Sequence, residues 1–131
     1  MKRTFFSLAL LLAVATLTAQ TKMTAREAAV KIADRILAST TYEFKNTKTG
    51  EIYKSVKKLP LDMDVKVACK YNNWHYTNGV TNMALMELGD KLGDKKYEKY
   101  VLKNMNFVFN EGNLDFFRKQ YDEAFKRDGW N

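Results

Sequence analysis

TNGVTNMALMELGDKLGDKKYEKYVLKNMNFVFN, residues 77–110, reads as two helices joined by one tight turn. Val80, Met83, Ala84, Glu87 and Leu88 follow three- and four-residue steps, and Leu92 continues them. Gly93 then offers the left-handed position that commonly ends a helix, and Asp94 an N-cap for the next. That next helix carries Tyr97, Tyr100, Val101, Met105 and Val108 on one side and stops near Asn110-Glu111-Gly112. Two helices separated by so short a turn must lie antiparallel, as an αα-hairpin.

Working outward, the pattern stays helical on both sides. Toward the C-terminus, Leu114, Phe117, Tyr121 and Phe125 fall on consecutive turns and predict a helix over Leu114–Lys126. Toward the N-terminus, Thr24 followed by Glu27 has the form of a capping box. Behind it Ala25, Ala28, Ala29, Ile32, Ala33, Ile36 and Leu37 repeat at helical spacing, predicting a helix over Thr24–Ala38. Residues 40–70 are the irregular part and hold the only proline, Pro60. There Asn46-Thr47 and Thr49-Gly50 are turn chemistry, fitting either a hairpin between Tyr42–Phe44 and Ile52–Val56 or an extended surface loop. The fold class expected from these patterns is all-α with an irregular 40–70 segment. Tyr71, Trp74, Tyr76, Phe107, Phe109, Phe116, Phe117, Phe125 and Trp130 are more aromatic surface than so few helices hide. The chain is therefore expected to pack against something else or to be the front of a longer protein.

Residues 1–20 have the three parts of an export signal: Lys2 and Arg3, an apolar core over Phe5–Leu17, then the small residues Thr18 and Ala19. The core is shorter than the ~20 residues a membrane-spanning helix needs. The expectation is a signal peptide over 1–20, a mature part over 21–131, and a location in the periplasm or outside the cell, with no membrane insertion after signal removal. Without Lys2 and Arg3, the formal charge of +7 becomes +5. The lysines are scattered, which speaks against a nucleic-acid footprint and is compatible with anionic substrates such as uronic-acid sugars. Cys69 and His75 are the only residues of their types, so an internal disulfide is ruled out and neither a multi-histidine metal site nor a cofactor is expected. Cys69 is read as a buried structural thiol.

The densest group of candidate binding residues is Tyr71-Asn72-Asn73-Trp74-His75-Tyr76-Thr77-Asn78-Gly79, just before a helix. In an extended segment Trp74 and Tyr76 point the same way, giving either a stacking platform for sugar rings or ordinary core. Asn78 is a candidate helix cap. Glycoside chemistry wants two carboxyl groups flanking a bond, one of them in an apolar pocket. Asp62 and Asp64 alternate beside Leu61, Met63 and Val65, Asp90 and Asp94 look like helix-end residues, and Asp122 and Glu123 like a solvated face. None of these pairs forms a recognisable catalytic dyad, and no phosphate loop, nucleophile elbow or metal-ligand spacing occurs.

The segment Trp74-His75-Tyr76-Thr77-Asn78-Gly79-Val80, with Ala84-Leu85, Leu88 and Leu92-Gly93-Asp94-Lys95-Lys96-Tyr97, resembles the N-terminal part of the unsaturated uronyl hydrolases, glycoside hydrolase families 88 and 105. The likeness extends over roughly Ala25–Phe125. It implies a partial α/α toroid, the first one or two hairpins of a six-hairpin barrel. It further implies a substrate: oligosaccharides from polysaccharide lyases, which end in a 4,5-unsaturated uronic acid. In that family an aspartic acid protonates the double bond, water adds at the neighbouring carbon, and the hemiketal opens to release the sugar, with no metal. Trp74 and Tyr76 then fall where the family's aromatic residues approach the substrate, and Asn78 joins them as a third binding candidate.

Twelve helices of about 11–12 residues, with their connections, need well over 131 residues. The chain is therefore expected to be a fragment, inactive alone, with the catalytic acid beyond Asn131, no catalytic residue of its own, and the remainder of the toroid as a partner. Two other readings stand beside it: a small exported helical module that binds sugar or protein, and an interaction subunit completed by another chain.

Overall fold

A computed structural model describes residues 23–129. The export signal read in residues 1–20 lies outside the described residues, as does Trp130. The chain divides after Lys31. Within 23–31, Thr24 and Glu27 make the reciprocal cap that their spacing predicts. The Thr24 N–H donates to Glu27 Oε2 at 2.8 Å and the Glu27 N–H donates to Thr24 Oγ1 at 3.2 Å. This cap opens helix α1, Ala25–Ser39.

Residues 40–70, expected to be irregular, instead build a small sheet, so the all-α expectation is corrected to a mostly helical fold with three strands. Strand β1 (Phe44–Asn46) lies between β2 (Ile52–Tyr53) and β3 (Val65–Val67), antiparallel to both. The hairpin alternative is the one realised, because Asn46 closes the turn. Its Oδ1 accepts from the N–H groups of Lys48 (2.9 Å) and Thr49 (3.0 Å), and Gly50 takes φ +79°. A 3₁₀ turn, Val56–Lys58, follows, capped by Ser55. Phe44, facing Tyr53 and Val67 across the ladder, buries its ring with Val65 and Phe116 in one of two apolar clusters.

The αα-hairpin forms as its pattern predicts. Helix α2 (Tyr76–Leu92) ends at Gly93, whose φ is +66°, and Asp94 caps helix α3 (Lys95–Val108) by accepting from the Lys96 N–H at 3.0 Å. Tyr97, Tyr100 and Val101 of α3 are buried with Ala33 and Leu85, forming the second cluster. Tyr97 also donates through its hydroxyl to Asp34 Oδ1 at 2.9 Å, and Lys96 pairs with the same carboxylate at 2.8 Å, tying α1 to α3.

The buried face of α2 is the expected one only in part. Leu88 and Leu92 pack against the second cluster, but the buried residues are Asn78, Asn82, Leu85 and Gly89, while Val80 and Met83 are exposed. The cause is close approach. A Cβ on Gly89 would lie 3.1 Å from the Asp94 carbonyl oxygen and 3.3 Å from Tyr97 Cβ, so the two helices come close at that residue. Helix α4 (Glu111–Arg127) shows a similar shift. Phe116 and Gln120 are buried, Leu114 and Phe117 are partly so, and Tyr121 and Phe125 stand exposed. Gln120 wins the inner position because its amide donates to the carbonyls of Asp62 and Val65, satisfying backbone that the short sheet leaves open.

Candidate functional site

The segment Cys69–His75, between β3 and α2, is held by buried polar side chains rather than by regular structure. Cys69 is buried, as expected, and its sulfur accepts from the Tyr71 N–H at 3.5 Å. Asn72 donates to the Thr41 carbonyl at 2.7 Å. Asn78, from the first turn of α2, donates to Lys70 O at 2.9 Å and Asn73 Oδ1 at 2.6 Å. Asn104, from α3, donates to Asn82 Oδ1 at 3.2 Å and to Tyr71 O at 3.4 Å. Oδ1 of Asn72 and of Asn104 accepts nothing from the described residues. These side-chain hydrogen bonds fix where the loop sits. Hydrophobic spacing carries no trace of them, which is why Asn72, Asn82 and Asn104 escape a reading based on apolar periodicity.

His75 caps α2, a role the sequence pattern assigned to Asn78. Its Nδ1 lies 2.8 Å from Thr77 Oγ1 and accepts from the Thr77 N–H at 3.4 Å. His75 itself is extended (φ −110°, ψ 135°), and Trp74 and Tyr76 on either side of it both border the groove between α2 and α3. Trp74 leans between Phe109 and Phe117, with centroids 6.5 and 6.0 Å away, and remains 54% exposed. Tyr76 lies against His75 at 5.4 Å and is 79% exposed. Both rings are therefore available to a ligand. Asn78 is 8% exposed, and its amide nitrogen is spent on the loop.

Trp74 separates two grooves. The first, of about 340 Å³, runs between β3, the loop and α4, with Lys66, His75, Phe117 and Tyr121 among its walls. The second, of about 290 Å³, lies between α2 and α3 and is lined by Tyr76, Gly79, Met105, Val108 and Phe109. Both volumes fall near the lower end for small-molecule sites.

No carboxyl group enters either groove. Asp62 Oδ1 accepts from the Asp64 N–H at 2.9 Å, and Asp64 pairs with Lys48, so these residues shape a turn. Hydrogen bonds hold the carboxyl of Asp64 (from Lys48), of Glu87 (from Lys91) and of Asp115 (from Lys119, then Arg118) below the ordinary range. A general acid needs the opposite shift. Among the described residues no three His, Cys, Asp or Glu side chains gather as for a metal, and no helix is long and apolar enough to cross a membrane. Compared with protein-family models, curated proteins and solved structures, the chain matches none.

Proposed function

We propose that this chain is the opening part of an exported unsaturated uronyl hydrolase, contributing an aromatic shelf that receives the unsaturated uronic acid at the end of a lyase-cut oligosaccharide. The supporting observation is the pair Trp74 and Tyr76, both solvent-facing at the edges of two grooves although each is large and apolar enough to be core. Asn78 serves the shelf by fixing the loop that carries Trp74. On this reading the chain binds and positions substrate, and the acid that protonates the double bond comes from elsewhere in the enzyme.

The architecture proposed with it is a partial α/α toroid. Its support is that α2 is apolar on two sides. One face meets α3, and on the opposite face Tyr76, Val80 and Met83 lie open, Met83 at 73% exposure. Glu87 and Lys91 pair in solvent on the same side, so the uncovered part is the stripe Tyr76, Val80 and Met83, an apolar surface on which another element can pack. Covering a Val, Met or Tyr side chain is worth roughly 1.5–3 kcal/mol. Three such residues together approach the ~5 kcal/mol at which small domains become stable. Further helices of a toroid would supply that cover.

The test is a titration of the isotopically labelled chain with an unsaturated uronyl disaccharide, followed by nuclear magnetic resonance. Shifts of the Trp74 indole N–H and the backbone amides of residues 73–79 are expected. Unmoved resonances there at millimolar sugar would refute the shelf.

A further inference from the structure

The first groove carries a charge arrangement that the fold itself does not use. Lys66 is the only charged side chain among the residues lining it. It lies in β3 directly opposite Lys45 of β1, and both are exposed. Like charges facing each other across a ladder destabilise a sheet. Neither lysine belongs to an ion pair among the described residues. The nearby carboxylate of Asp64 is engaged by Lys48 instead. Lys66 thus stands at one wall, while Trp74 and Tyr121 supply aromatic surface along the others. The second groove is different: its lining has no charged side chain and is mostly apolar.

From this asymmetry we infer that the carboxylate-bearing sugar lies on the Lys66 side of Trp74, its ring against Trp74 and Tyr121 and its carboxylate toward Lys66. The inference rests on the sugar-binding reading above and names the subsite and the charge selectivity within it. A carboxylate placed there gives Lys66 a counter-charge that no ion pair among the described residues supplies. A neutral sugar has the aromatic contact alone and binds more weakly.

The experiment compares the full chain with Lys66→Gln, Tyr121→Ala and Tyr76→Ala, all at exposed positions, each checked by circular dichroism. The probes are an unsaturated digalacturonate and its neutral counterpart, digalactose, titrated by nuclear magnetic resonance. Lys66→Gln is expected to weaken the acidic disaccharide about fivefold and to leave the neutral one unchanged, since an exposed ion pair contributes up to about that factor. Tyr121→Ala is expected to weaken both sugars. Loss of binding in Tyr76→Ala, with Lys66→Gln and Tyr121→Ala unaffected, would place the sugar in the other groove and overturn the inference while keeping the shelf. Absence of binding by the unsubstituted chain would overturn both.

Discussion

Asp34 shows how a single residue's chemistry reaches the fold. Its carboxylate accepts from Lys96 and from the Tyr97 hydroxyl, and these hydrogen bonds hold its pKa below the ordinary value. A depressed carboxyl pKa favours folding above the unfolded-state value near 3.8, and that contribution is lost as pH falls through the folded-state value. Melting temperature is therefore expected to drop below about pH 4, and Asp34→Asn to flatten that acid limb while lowering the neutral-pH melting point. An Asp34→Asn chain with the parent's acid limb would show that the pair contributes nothing. Gly93 is a second point of leverage. At φ +66° an alanine is strained, so Gly93→Ala is expected to lower the urea concentration at which helical circular dichroism is lost. An unchanged midpoint would mean that the turn is not the joint that sets the hairpin.

Among the elements, α2 makes the sharpest forecast. Val80→Lys with Met83→Lys is expected to preserve helical circular dichroism and to raise solubility, because both side chains face solvent. Loss of helix would mean that this face is core after all. The same helix shows what a sequence pattern carries. Gly93, Asp94 and the Tyr97–Tyr100–Val101 stripe were legible, because capping and one-sided apolarity are local signals. The buried face of α2 was legible only in part, because apolar residues lie on both of its sides, and the choice is made by Gly89 against Tyr97 and by Asn82 against Asn104. In α4 the core position went to Gln120, which no hydrophobic pattern selects. Strand β3 is three residues long, too short for alternation to stand out, and its place in the sheet depends on β1 twenty residues earlier in the chain. Within the candidate site, Trp74 and Tyr76 were legible as paired aromatics beside a helix start, but spacing left open whether they are exposed or core, and both are exposed. The cap at His75, the grooves and the lysine pair were not, because each is made by residues brought together from different elements.

For the whole molecule, the question is whether these elements suffice for one another. Residues 32–129 hold two apolar clusters, one around Tyr97 and one around Phe44, joined through the asparagine seam and the Trp74 loop. Neither cluster covers the outer face of α2. On the proposed reading that face is where the rest of a toroid belongs, and a self-sufficient binding module would need no such cover. Unfolding in urea, followed together by far-ultraviolet circular dichroism and tryptophan fluorescence, separates the two. Helicity and the tryptophan fluorescence are expected to be lost at different urea concentrations, in broad transitions. Coincident, steep transitions by both probes would show a single cooperative domain and contradict the claim that this chain is part of a larger barrel.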